Sequence, residues 1–367
     1  MEKGGGLMRG RRTGNVLAIA TAVVLGTGGG VAFADDLSPK EIYERAAPAT
    51  VKISGPKGDG SGIIYDAQKG LIVTNAHVVQ GEPSLRVTVE DRAPAAARVL
   101  GIDPCEDLAV LEFSSPQPDL KQLKFGKSAD VGVADTVTSL GYPATFEKEG
   151  TSQKPVFTTG AVQNPNVKDV VPDPSLPRYP ATLQHSATVN PGNSGGPLLN
   201  GKGEVVGINT LGNGNAGVEG QFYAISSDHV RPLLDTLASG EKRNDPGWEL
   251  AYLHDPALPD TFTPEDAPAI EKIQKQFKDV EGMIVTDVRR NSAAEKAKLQ
   301  QLDVITDVKG SPAASFADVC DVLQSASPGE TVPLSGIYTQ SFTDEAGKPV
   351  KAGEAWDANL VLDKSGK

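Results

Sequence analysis

The sequence predicts a mainly β protein in which many short strands close into barrels, followed by a smaller α+β domain. Three observations predict it. From Val51 onward, short apolar β-type runs alternate with Gly, Pro and Asn turns, with no helical periodicity between them. The 367 residues are 38% hydrophobic, 22% charged and 5% aromatic, an ordinary globular profile for about two domains. Beyond the polar stretch 241–247, strand-type and helix-type segments alternate, so the architecture changes there.

The elements follow in order. Arg9, Arg11 and Arg12 precede an apolar stretch over 16–25 and small residues ending Ala32-Phe33-Ala34. A charged region, a hydrophobic region and an A-x-A site make residues 1–34 an export signal cleaved after Ala34. An uncleaved anchor is the competing reading, but the apolar core is interrupted at Gly26. It falls below the roughly 20 residues that span a bilayer well. Ser38 as N-cap with Pro39 in the first turn predicts a short helix over 37–47. Strands are expected over 61–65, 71–74, 85–89, 98–100 and 109–113. The proline-rich stretch 164–181 lacks periodicity and reads as a long surface loop, and 212–217 reads as a flexible one. A helical pattern from Ser227 closes a first domain spanning 37–240, with 241–247 as linker, 248–363 as the second domain and 364–367 as tail.

The chemistry is concentrated in Gly192-Asn193-Ser194-Gly195-Gly196-Pro197-Leu198. A serine attacks a carbonyl only if a base takes its proton and donors await the oxyanion. Glycines let the backbone turn sharply and aim successive N–H groups into one space. The N–H groups of Gly192 and Ser194, with Asn193 between them, are the candidates for that oxyanion hole. A Gly/Asn/Ser hairpin turn explains this segment about as well by itself. A nucleophile also requires a histidine and a carboxylate, and the chain has only four histidines. His77 ends the apolar run Leu71-Ile72-Val73-Thr74-Asn75-Ala76, and Asp107 directly precedes Leu108-Ala109-Val110-Leu111. Each signal alone is bland: a lone histidine is usually a packed one, and an Asp before a strand is usually a solvated turn residue.

In the order His77, Asp107, Ser194, each beside a β-type run, the three resemble the chymotrypsin-like serine proteases. Thr74-Asn75-Ala76-His77-Val78-Val79, Asp107-Leu108-Ala109-Val110-Leu111 and the serine block are similar to the signatures of the HtrA/Deg branch. Gly60-Ser61-Gly62, Thr158-Thr159-Gly160-Ala161-Val162 and 203–210 add supporting matches, so the likeness runs over about 40–235. It implies a chymotrypsin-like double β-barrel and a Ser-His-Asp triad with no cofactor or metal. Thr188 and Val189 before the serine, and Asn209, Thr210 and Leu211 across from it, are expected to line the primary pocket. No carboxylate stands there, so a small or medium apolar side chain fits better than Lys or Arg. His185-Ser186 departs from the Thr-Asp usual in the family.

The second domain resembles a PDZ domain, with Gly282, Met283, Ile284 and Val285 as the expected peptide-binding loop and strand. Helices are expected at 292–297 and 316–324, and a closing strand at 360–362. Such domains capture chain termini by adding the peptide as a strand. Lys298 and Leu302 stand where the family commonly has glycine. Residues 254–279 read as an insertion, with Ile270, Ile273 and Phe277 on one helix face that covers or reshapes the groove.

The formal net charge of −12 disfavours nucleic acid and anionic membranes as partners. Cys105 and Cys320 either pair across the two domains or stay as separately buried thiols, the latter favoured. Three readings of function follow. The first is an exported endopeptidase acting on unfolded polypeptides. The second is a non-hydrolytic peptide-binding protein or chaperone. The third is a protease inactive until its loops reorganise. The family resemblance also implies a homo-oligomer, a trimer, although the N-terminal segment carries no clear signature of one.

Overall fold

The computed structural model describes Met1 and residues 36–143, 154–212, 220–344 and 346–363. The expected export signal, the 213–217 part of the Gly/Asn-rich segment and the 364–367 tail lie outside the described residues. No helix among the described residues is long and apolar enough to cross a membrane.

Helix α1 (Pro39–Ala46) starts where its cap predicts. The Ser38 hydroxyl accepts from the Glu41 amide and the Glu41 carboxylate accepts from the Ser38 amide at 2.8 Å, a reciprocal capping box. Ile42 and Ala46, one turn apart, are its buried face.

Among the described residues two antiparallel barrels close. The first comprises β1 (Thr50–Ser54), β2 (Asp59–Asp66), β3 (Leu71–Thr74), β4 (Leu85–Val89), β5 (Ala95–Asp103) and β6 (Leu108–Phe113), in the order β1-β2-β3-β6-β5-β4. Ile53, Ile63, Ile72, Leu108 and Leu111 fill it. The second comprises β7 (Thr136–Gly141), β8 (Val156–Val167), β9 (Thr182–His185), β10 (Pro197–Leu199), β11 (Val205–Gly212) and β12 (Phe222–Ser226), in the order β10-β11-β12-β9-β8-β7. Val137, Val162, Leu183, Leu198 and Val206 form its core. Helix α2 (Ser227–Ala238) follows the second barrel but buries Val230, Leu234 and Leu237, at helical spacing, in the core of the first. The two barrels are thereby held together, with a cleft between them.

The C-terminal sheet holds β13 (Trp248–Tyr252), β14 (Met283–Val288), β15 (Val304–Val308), β17 (Thr331–Ile337) and β20 (Ala355–Val361) in that order, with β16 (Ser311–Pro312) beside β15. A hairpin of β18 (Phe342–Thr343) and β19 (Pro349–Val350) forms a separate two-stranded sheet. Helix α3 (Ala267–Gln276) places Ile270 and Ile273, with Phe277 after them, in one cluster with Ile284 and Val304. The 254–279 insertion therefore roofs a face of the sheet. Helices α4 (Ala293–Lys296) and α5 (Phe316–Ser325) belong to the other cluster. Lys298 and Leu302 adopt φ of 64° and 76°, so the glycine-type backbone is kept without glycine. Each costs roughly 1 kcal/mol for its Cβ.

The expectation of separate thiols is overturned. Cys105 and Cys320 form a disulfide with Cα atoms 5.4 Å apart. Cys105, in the turn between β5 and β6, enters the second domain's core beside Trp248, Phe316 and Val319. The buried face of α5 presents Cys320 to it, so one core contains both sulfurs.

Candidate active site

The turn after β3 is a single 3-10 turn, Ala76–Val78, which swings His77 out of the first barrel while Ala76 stays buried. The turn before β6 puts Asp107 at φ 51°, a left-handed conformation that Asp tolerates better than most residues. The two meet. His77 Nδ1 lies 2.9 Å from Asp107 Oδ1 and 3.0 Å from Oδ2, and the His77 amide donates to Oδ1 at 3.1 Å. The Asn75 side chain clamps the Asp107 carbonyl at 3.1 Å. Asp107 is 2% exposed, so its charge acts on His77 with little water between. Burial works against a charged imidazole, but the charge and hydrogen bond of Asp107 outweigh it. The His77 pKa stands above its ordinary 6.5. With Nδ1 engaged, Nε2 is the nitrogen left for proton transfer.

Ser194 comes from the turn before β10 and shares with His77, Asp107 and Gly192 a cleft of about 1010 Å³. Its hydroxyl donates to the Thr210 carbonyl at 3.2 Å, and no bond from it to His77 is formed among the described residues. Ser61 holds the Ser194 turn to the first barrel. Its amide donates to the Ser194 carbonyl at 2.8 Å and its hydroxyl to the Gly192 carbonyl at 2.7 Å. Gly195, at φ 86°, lies so close to Ser61 that a Cβ would sit 2.1 Å from its carbonyl oxygen. Only glycine allows that approach.

A trypsin-like peptidase domain model matches residues 60–208 and a PDZ domain model matches 261–337. The chain is 34% identical to the serine protease Do-like HtrB of Bacillus subtilis over 267 residues, covering 72% of this chain and 56% of that protein. It is 30% identical to the putative serine protease HhoA of Synechocystis over 303 residues, covering 82% of this chain and 72% of the relative. The chain belongs to the HtrA family of serine proteases. It spans little more than half of HtrB. A solved structure of a serine-to-alanine variant of the HtrA-type protease AlgW, with a tripeptide, has the same fold, at a TM-score of 0.50 and 22% identity, over 90% of this chain and 98% of that one.

Against the HtrA pattern, several expected residues are placed differently. The Asn193 amide donates to the Asn190 carbonyl at 2.9 Å, so of the three residues expected at an oxyanion hole Asn193 offers no free N–H, and Gly192 and Ser194 remain the candidates. Asn209 turns into the second barrel, donating to Ser139 Oγ and the Pro197 carbonyl, and is not among the residues that line the cleft. The Thr210 hydroxyl donates to Asp107 Oδ2 at 2.9 Å and serves the carboxylate instead. Thr188 is exposed, its carbonyl accepting from Thr158, and Val189 is buried. Leu211 lies in β11, with its side chain outside the described residues.

The strand expected to receive a peptide has no open edge. Met283, Ile284 and Val285 lie in β14, which is hydrogen-bonded to β13 on one edge and β15 on the other. No strand can add there. The edge strand at that end of the sheet is β13. Protease groups already sit at both of its ends: Gln80 donates to the Trp248 carbonyl at 3.0 Å, and the Tyr252 amide donates to Ser175 Oγ at 2.9 Å.

His185, where the chain departs from the family's usual Thr-Asp, is fully buried at the end of β9. Neither ring nitrogen has a full hydrogen bond, and burial pushes its pKa down to about 4, offset slightly by the Ala187 backbone. Its neighbour is the ring of Phe222. Among the described residues no group of His, Cys, Asp and Glu is placed to hold a metal ion. The residue that sequence reasoning missed is Tyr179. It comes from the proline-rich loop, is 1% exposed, and donates its hydroxyl to Asp107 Oδ2 at 2.9 Å.

Proposed function

We propose that the chain is an exported serine endopeptidase that hydrolyses peptide bonds of unfolded or damaged polypeptides in the cell envelope. Ser194 attacks the scissile carbonyl, and His77 takes its proton and returns it to the leaving amine. Asp107 holds the imidazole in the right tautomer and stabilises its charge. The Gly192 and Ser194 N–H groups receive the oxyanion, and water then hydrolyses the acyl-enzyme. The observation that carries this reading is the 2.9 Å His77–Asp107 contact in the same cleft as Ser194. Export rests on the signal-type segment 1–34. Chain termini are expected at β13 rather than at Gly282–Val285, and a homo-oligomer belongs to the same reading by family likeness. Incubation of the full chain with unfolded casein tests it. Wild type is expected to cleave and Ser194→Ala to be inert; equal cleavage by both would overturn the assignment.

A second reading is favoured by one observation, that the Ser194 hydroxyl donates to the Thr210 carbonyl and not to His77. In it the protein is a peptide-binding or chaperone-type protein whose proteolysis is conditional. A peptide adding to β13 must displace Gln80, three residues from His77, and Ser175. Fluorophosphonate labelling of Ser194 that accelerates with added peptide favours this reading, and labelling indifferent to every peptide removes it.

A further inference from the structure

Resting on the triad reading above, we propose that Tyr179 is a positioning residue for proton transfer, locking the Asp107 carboxylate through Oδ2. A buried carboxylate with two free lone pairs on one oxygen can rotate, and the histidine it orients then wanders. Here neither oxygen is free. Oδ1 accepts from the His77 amide, with Nδ1 shared between the oxygens. Oδ2 accepts from Tyr179 and Thr210, both at 2.9 Å. The two hydroxyls stand 3.2 Å apart, and because each has one proton and the carboxylate takes both, they act as a pair of donors on one oxygen. Burial and the nearby Asp107 charge raise the Tyr179 pKa well above 10. It stays a donor at every pH the reaction uses.

Tyr179 is delivered by a loop fastened to the second domain. Its backbone pairs with Val170, the Pro174 carbonyl accepts from the Phe316 amide at 2.7 Å, and Arg178 forms an ion pair with Asp321 at 3.2 Å. The other half of the contact is fastened to the same helix: Cys105, two residues before Asp107, is bonded to Cys320. Phe316, Cys320 and Asp321 all belong to α5. One helix of the second domain thus anchors both loops whose side chains meet at Oδ2. A tyrosine kept only for packing would need neither the hydroxyl contact nor this shared anchor.

The test is Tyr179→Phe in the full chain, which keeps the ring and removes the donor. Rates are normalised to active sites titrated with a fluorophosphonate, so a misfolded fraction does not count. A hydrogen bond to a charged group of this kind corresponds to a fall in kcat of about ten-fold, with KM nearly unchanged. With one donor gone, the Oδ2 charge is less neutralised and holds the imidazolium more tightly, so the acid limb of kcat/KM moves to higher pH. Thr210→Val, which removes the other donor from the same oxygen, moves it the same way. A normal kcat in Tyr179→Phe overturns the proposal, as does a lowered kcat with an unmoved acid limb, which marks a packing role. Should the variant fail to fold, Arg178→Ala decides: it loosens the loop without touching the hydroxyl, and an unmoved limb there overturns the proposal. Failure of the triad reading is distinct, because wild type then neither cleaves nor takes the label at Ser194.

Discussion

Two histidines, one from each barrel, occupy comparable places and have opposite fates. His77 follows the last residue of β3 by three positions, and His185 ends β9. The first barrel sends the Asp107 turn to His77, whose pKa rises above 6.5. The second barrel sends His185 no carboxylate: it lies buried against the Phe222 ring, burial outweighs the Ala187 backbone, and its pKa falls to about 4. One imidazole is built to gain a proton and the other to refuse it. The difference lies in one carboxylate, and that carboxylate comes from a different strand connection, not from neighbours in the chain.

The comparison breaks most directly at His77. His77→Ala is expected to lower kcat by about 10⁴-fold or more, near the level of Ser194→Ala. The matching His185→Thr change should leave kcat within the same order as wild type; casein or peptide turnover checks both. The next largest effect concerns what fixes Asp107. The Cys105–Cys320 bond closes a loop of 215 residues. Replacing both cysteines with serine is expected to cost about 5 kcal/mol in denaturant unfolding. The smallest effect sharpens the His185 half. Unfolded, its imidazole takes a proton near pH 6.5; folded, it refuses one down to about 4. Stability is therefore lost as pH falls through that window, by about 3 kcal/mol in all. In His185→Thr the slope of stability against pH between 6.5 and 4 should be flatter than in wild type.

How legible this was follows from the same comparison. The double barrel could be read because short apolar runs and turn residues are local signals. The first-barrel strands 71–74 and 85–89 coincide with β3 and β4. His77, Asp107 and Ser194 were legible because each sits beside such a run in a recognisable order. Tyr179 was not, because it lies among prolines without periodicity and meets Asp107 only in the folded chain, 72 positions away. The disulfide was hidden for a similar reason, since nothing local to Cys105 or Cys320 says which core encloses it. Which strand has an open edge was not legible, because Gly247-Trp248 and Gly282-Met283 look alike in the chain. Only the strand order reveals that β13 has an open edge and β14 has none. Lys298 and Leu302 teach a further limit: glycine marks a left-handed position, but its absence does not rule one out.

The central claim is that Ser194 is a nucleophile activated by a histidine that its carboxylate keeps basic. Fluorophosphonate labelling of the full chain across pH, with the adduct located by mass spectrometry, tests it most directly. The account predicts an adduct on Ser194 whose rate of formation declines as pH falls through a pKa above 6.5, and which nearly vanishes in His77→Ala. An adduct elsewhere, no adduct at any pH, or equally fast labelling of Ser194 without His77 would contradict it.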